Sequence, residues 1–192
     1  MKFMKHMEPM EETVEQEKPT KLLKHAKLYI LGTLLAILLL SLILPKRCPI
    51  DIQTTAFVYA MDQQAPIAEH EVSIEGIYLR RLFREDVYQG SLEVSGYPET
   101  AGASAYIQFY NDHDFGMISY QQDGIPIWDS ELKQIYTNLD FSVFVIQLFE
   151  VSKDGDDISA SWDGADGRVL STAPDYESLL EYCEVLKMKS AS

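Results

Sequence analysis

The sequence predicts a mainly β protein with one N-terminal membrane helix, and three observations lead to this prediction. Residues 28–44 form a run without a charged side chain. After Pro49, short segments of alternating apolar and polar residues follow one another, separated by turn residues. Strands do not alternate with long helices there, which argues against a doubly wound fold. We therefore expect a transmembrane helix followed by an antiparallel β-sandwich or barrel-like domain with a C-terminal helix.

The charges of the 192-residue chain are unevenly divided. Residues 1–47 hold 8 Lys and Arg against 5 Glu, a net charge of +3. Residues 48–192 hold 8 Lys and Arg against 25 Asp and Glu, a net charge of −17. So acidic a surface argues against nucleic acid and anionic lipid as partners of the second part, which is long enough for one domain with its own core.

The uncharged run predicts a membrane-spanning helix over residues 28–45. Its 17 residues from Leu28 to Leu44 span about 25 Å as a helix, close to the thickness of a bilayer's hydrocarbon core. More basic residues precede the run than follow it, and this asymmetry predicts a cytoplasmic N-terminus. The residues before the run are Lys18, Lys21, Lys24 and Lys27, and those after it are Lys46 and Arg47.

The residues that follow the run indicate an uncleaved anchor. Pro45, Lys46 and Arg47 supply neither a small-x-small cleavage site nor the small residues that a lipoprotein site needs before Cys48. We therefore divide the chain into a polar cytoplasmic tail (1–27), the helix (28–45), a linker (46–53) and an extracytoplasmic β-rich domain (54–192). Integration in the cell membrane is the first partner prediction.

Alternating patterns predict eight or nine strands in the outer domain. The first strand is Thr54–Ala60, and the remaining strands form four expected hairpins. Phe141–Glu150 is apolar nearly throughout and is predicted to be a central strand buried on both faces. The expected hairpins are Glu71–Leu79 with Val87–Ser95, Ser104–Tyr110 with Phe115–Gln121 around the turn Asn111–Asp114, Lys133–Leu139 with Phe141–Glu150, and Ile158–Trp162 with Arg168–Thr172.

A terminal helix is predicted after Pro174 and Asp175, which are typical of a helix start. Apolar residues then recur at helical spacing and predict one face docked on the sheet. These residues are Tyr176, Leu179, Leu180, Cys183 and Leu186. Cys183 and Cys48 are the only cysteines, and both a disulfide between them and two free thiols stay open.

Three arginines form the one basic cluster of the acidic domain. Arg80, Arg81 and Arg84 surround Phe83 in the segment YLRRLFRED. Such a cluster suits an anionic envelope polymer or an acidic protein surface. The alternative is local pairing with Glu85 and Asp86, which contributes little to stability.

Two Asp/Gly-rich segments are candidate calcium turns, because calcium prefers carboxylate and carbonyl oxygens in flexible loops. The candidate ligands are Asp154, Asp156, Asp163 and Asp166. Neither segment has EF-hand spacing, and ordinary hairpin turns favour the same residue types. We therefore interpret them first as turns.

No segment carries a specific catalytic motif. His70 and His113 are the only histidines of the outer domain, too few for a typical zinc site. A G-x-S-x-G elbow is absent, and Cys183 has no basic neighbour to activate it. We therefore predict no catalytic residue, no metal site and no cofactor.

The segment Val72–Tyr97 resembles a pattern in uncharacterised single-pass membrane-anchored proteins of low-GC Gram-positive bacteria. The matching positions are Gly76, Leu82, Phe83, Tyr88, Gly90, Gly96 and Tyr97. They cover about a sixth of the chain. The resemblance implies a membrane location and a fold style, and it implies no activity.

These observations predict a non-enzymatic binding or scaffolding module at the cell envelope. One alternative is a sensor or regulator that signals through its short cytoplasmic tail. Another is an envelope hydrolase, which would require a deep cleft with convergent carboxylates of raised pKa.

Overall fold

The computed structural model describes residues 20–110, 115–155, 157–162 and 167–186, with side chains of the first helix described at 26–38, 40 and 41. Most of the predicted tail, the turn Asn111–Asp114 with His113, and three candidate calcium ligands lie outside the described residues. Those ligands are Asp156, Asp163 and Asp166. The chain divides into two units, Met1–Leu42 and Ile43–Ser192.

The first unit contains the helix α1, Thr20–Ile43, which begins before the uncharged run. The large apolar side chains described in it are 55–76% exposed. Within the described residues, no helix combines the length and the apolarity that a membrane crossing requires.

The second unit is built on an eight-stranded antiparallel barrel. Each strand of the ring is hydrogen-bonded to two neighbouring strands. The ring closes because the first strand pairs with the last one and the fourth strand pairs with the fifth. This is an up-and-down barrel, in which no ring strand keeps a free edge. Sequence analysis left sandwich and barrel open, and the structure is a barrel. The strands are β1 Lys46–Ala60, β2 Pro66–Arg80, β3 Val87–Val94, β4 Ser104–Tyr110, β5 Phe115–Gln122, β6 Ile125–Ile127, β7 Leu132–Thr137, β8 Phe144–Leu148, β9 Glu150–Asp154, β10 Asp157–Ser161 and β11 Arg168–Ser171.

Three strands lie outside this ring. The short β6 pairs only with β5, and β9 and β10 form a separate hairpin. The ring itself consists of β1, β2, β3, β4, β5, β7, β8 and β11.

Side chains fill the inside of the barrel, as expected for eight strands. Inward residues from all eight ring strands form one buried cluster, in which tyrosine, phenylalanine and isoleucine are prominent. Phe141, from the turn between β7 and β8, enters this cluster although it is not in a strand. Its ring lies 5.1 Å from that of Tyr88 and 6.1 Å from those of Tyr78 and Phe109, so it plugs one end of the barrel.

The end plugged by Phe141 is also the end at which β1 begins, and we call it the entry end. Lys46, the first residue of β1, pairs with Arg80, the last residue of β2. The β2–β3 loop, Arg81–Asp86, and the β7–β8 turn, residues 138–143, therefore lie at this end. The β1–β2 turn and the β5–β6 hairpin lie at the opposite end.

The predicted C-terminal helix is present as α2, Tyr176–Val185. Asp175 caps it by accepting a hydrogen bond from the Ser178 backbone N–H. Leu179 is fully buried in a second cluster on the outside of β1, β8 and β11. The inclusion of Leu180 in the docked face was wrong, because its side chain is exposed on the other side of the helix.

Strand β8 confirms the predicted central strand. Phe144, Ile146 and Leu148 face the interior cluster, while Val145 faces the cluster under α2. All five residues of β8 are buried because the barrel covers one face and the helix covers the other.

Three of the four predicted hairpins form, and the fourth is wrong. Strand β10 pairs with β9 through a tight turn in which Gly155 takes a left-handed conformation (φ +63°). Strand β11 instead joins the ring between β1 and β8. The reason is burial. Leu170 is buried in the interior cluster and Val169 in the cluster under α2, whereas every residue of β10 is exposed.

Residues 46–53, predicted as a linker, form the first half of β1. Cys48, Ile50 and Ile52 alternate inward there, but Pro49 weakened the strand pattern. Cys48 and Cys183 are not joined by a disulfide, and each is partly buried.

A glycine pair fixes the contact between β2 and β3. Gly76 and Gly90 lie opposite each other, and the Tyr88 hydroxyl lies against both. A Cβ atom at position 90 would lie 2.1 Å from the Glu75 carbonyl oxygen and 2.6 Å from the Tyr88 hydroxyl. The backbone cannot move away without a large cost in free energy, so only glycine fits at this position.

We expect Gly90→Ala to lower the free energy of unfolding by about 2 kcal/mol or more, because overpacking forces the backbone to shift. Urea denaturation monitored by circular dichroism measures this change. Gln89→Ala, at the exposed neighbouring position, is the control and should change stability by less than about 0.5 kcal/mol. Equal effects of the two substitutions would contradict the close approach.

Candidate interaction site

The β2–β3 loop, Arg81–Asp86, borders an open groove of about 740 Å³ at the entry end. The other wall comes from β4, through Tyr106, Gln108 and Phe109. The Gln108 side-chain amide donates a hydrogen bond to the Glu85 carboxylate across the groove.

A buried carboxylate holds the loop at its base. Asp86 is only 6% exposed, and its Oδ2 accepts a hydrogen bond from the Tyr78 hydroxyl at 3.0 Å. Its Oδ1 accepts one from the Arg81 backbone N–H at 2.6 Å. Both ends of the loop are thereby joined to β2, and the loop keeps a defined shape.

The tip of the loop is apolar and exposed. Leu82 is 61% exposed and Phe83 is 78% exposed, and neither belongs to a core cluster. Exposed aromatic residues on a held loop are typical of interaction surfaces.

The predicted basic cluster is divided by the structure. Arg81, Phe83 and Arg84 lie together along the groove. Arg80 lines a different groove, with Asn138 and Leu186. One local contact joins this cluster to a neighbouring acid, since the Arg81 backbone N–H donates a hydrogen bond to Asp86.

Sequence analysis missed four residues that shape this site. Asp86 was named as a partner for the arginines, although a single acid just before a buried strand is a signal for a side chain that bonds the backbone. Its partner Tyr78 and the wall residues Tyr106 and Phe109 depend on strand pairings that no local pattern reveals.

The candidate calcium turns lie mostly outside the described residues. Asp154 is exposed at the end of β9, and the other three candidates lie outside the described residues. Among the described residues, no group of three His, Cys, Asp or Glu side chains could hold a metal ion.

The described carboxyl groups with a displaced pKa are all displaced downward. Hydrogen bonds from Lys153, Ser142 and the Ser178 segment lower the pKa of Asp129, Asp140 and Asp175 respectively. A general acid of a hydrolase needs the opposite displacement.

No family model matches the sequence, and neither a curated protein nor a solved structure is similar to it.

We expect Asp86→Ala to lower the free energy of unfolding by about 2 kcal/mol, because it removes the acceptor for Tyr78 and for the Arg81 backbone. Asp86→Asn keeps one oxygen and should cost less. Urea denaturation measures both variants, with exposed Glu85→Ala as the control. If the Ala variant at position 86 were no less stable than the one at position 85, the carboxylate would not hold the loop.

Alkaline pH should destabilise the barrel. Burial, and then the charge of Asp86, raises the pKa of Tyr78 far above its ordinary value of 10.0. Burial likewise raises the pKa of Tyr88 and Tyr120. The stabilisation is therefore complete below about pH 10 and is lost as the pH rises above it, because these tyrosines ionise more readily when unfolded.

Urea midpoints at pH 8 and pH 11 measure this loss. Tyr88→Phe should reduce the difference between the two midpoints, since it removes one ionising group. Ile107→Val, a core variant without an ionising group, should lower both midpoints equally. An unchanged difference in the Tyr88 variant would count against this cause.

Proposed function

We propose that the chain is a membrane-anchored module, with its barrel outside the cytoplasm and a binding or scaffolding role at the cell envelope. The observation that carries the binding role is the contrast between a filled barrel interior and a held, exposed loop. An eight-stranded barrel filled with side chains leaves no internal room for a ligand, so contacts are made on its outside.

In this proposal, the membrane anchor is the run Leu28–Leu44. Apolar side chains cover all sides of its helix, as lipid requires and water disfavours. The run includes positions 39, 42 and 43, whose side chains lie outside the described set. Its basic N-terminal flank supports an orientation with the barrel outside.

The proposed contact surface is the β2–β3 loop. Arg81 and Arg84 offer charge for an anionic partner, and Leu82 and Phe83 offer apolar area beside it. Arginine next to an aromatic side chain is the composition typical of binding hot spots.

A protease-accessible tag tests the orientation. We expect external protease to remove a tag placed after Ser192 on intact cells, because the barrel lies outside, and to leave a tag placed before Met1 intact until lysis. Alkaline carbonate should leave the full chain in the membrane fraction. Protection of the C-terminal tag in cells, with cleavage after lysis, would place the barrel inside and overturn the proposal.

A further inference from the structure

The register of β1 and β2 places the β2–β3 loop at the barrel end where β1 begins. Lys46 pairs with Arg80, and Arg47 pairs with Leu79, so the loop begins one residue beyond the pairing. Leu44 precedes Lys46 by two residues, which the chain can extend to about 7 Å at most. The loop and the last residue of the uncharged run therefore belong to the same barrel end.

The shape of the loop suits contact with a surface outside the protein better than packing on its own barrel. Its base is held by the bonds from Asp86 to Tyr78 and to the Arg81 backbone. Its tip carries Leu82 and Phe83, whose side chains stay exposed. Because the base is fixed, the loop loses less conformational entropy when its apolar tip binds.

Positive charge is concentrated at this end. Lys46, Arg47, Arg80, Arg81 and Arg84 lie here, facing the acids Glu85, Asp86 and Asp140. Two described cations nearer the opposite end form ion pairs: Lys153 pairs with Asp129, and Arg168 pairs with Glu131. Among the described residues, five cations of this acidic domain therefore lie at the end where β1 begins.

We propose that the β2–β3 loop is a second membrane contact. Leu82 and Phe83 enter the boundary between lipid headgroups and acyl chains, and Arg81 and Arg84 bind lipid phosphates. This inference rests on the proposed anchoring, because the bilayer is the one that holds Leu28–Leu44. The partner of the proposed contact surface is then the lipid bilayer.

Two observations favour lipid over an anionic protein or polymer. The tether keeps the loop within a short chain length of the bilayer, so the effective lipid concentration is high without any added affinity. The tip is apolar as well as flanked by cations, and a polyanionic polymer offers no partner for Leu82 and Phe83. A bilayer surface offers both kinds of contact.

Depth-dependent fluorescence quenching tests the contact in the full chain. The chain, with Cys48→Ser and Cys183→Ala, is labelled with an environment-sensitive dye at Phe83→Cys and reconstituted in vesicles. The vesicles contain phosphatidylcholine with phosphatidylglycerol and a lipid that carries a shallow quencher. Ile125→Cys is the matched control, because Ile125 is 70% exposed and lies at the opposite end. Strand β5 separates the two ends by about 25 Å.

We expect quenching at position 83 to exceed that at position 125 by about threefold or more, since only the loop reaches the lipid. Leu82→Cys serves as a second labelled variant should the first fold poorly. Arg81→Gln combined with Arg84→Gln should lower the quenching in anionic vesicles and change it little in pure phosphatidylcholine.

Equal quenching at the two positions, or none at either, would overturn the lipid contact. A label at position 83 that lipid does not quench, but that added envelope polymer or protein shields from aqueous iodide, would also overturn it and assign the loop to an anionic macromolecule. Vesicle flotation of the same samples reports the anchor separately. Flotation without quenching refutes the second contact alone, whereas loss of flotation refutes the anchoring.

Discussion

Closure of the eight-stranded ring is the constraint on which the rest of the structure depends. A closed ring satisfies the backbone of every ring strand and fixes the volume that inward side chains must fill. Phe141 shows how strict this requirement is, because it enters the interior from a turn and takes a positive φ of 60° to do so. Hydrogen bonds of Asn138, Asp140 and Ser142 hold the turn in that strained conformation.

Side chains fill the barrel interior, so the contacts that we propose lie on the surface, where the two barrel ends differ. The entry end presents an apolar loop tip among cations. The opposite end presents ion pairs together with exposed Ile125 and Trp128. If the entry end rests on the bilayer, as we propose, the opposite end points away from it and is the surface available to partners in the envelope.

The sequence predicted the strands better than their partners. Alternation located β2, β3, β4 and β5 to within a few residues, because each has one face in the barrel and one outside. Pairing of β11 with β1 joins residues more than a hundred positions apart, and no local pattern encodes such a contact. The turn Asp163–Gly167 looked as suitable for a hairpin as the turn that forms after Asp154, and only burial of β11 decides between them.

The candidate site was predicted by composition and not by geometry. Three arginines around Phe83 identified the correct loop, yet Arg80 belongs to another groove because it ends a strand whereas Arg81 begins the loop. Sequence analysis singled out seven positions in the segment Val72–Tyr97, and burial distinguishes the two at the loop tip from the others. Packing accounts for Gly76, Gly90 and Tyr88, and the His70 ring against Gly96 and Tyr97 accounts for two more. Leu82 and Phe83 are the two positions of this set that packing leaves unexplained, and their exposure is the observation from which we propose a contact outside the barrel.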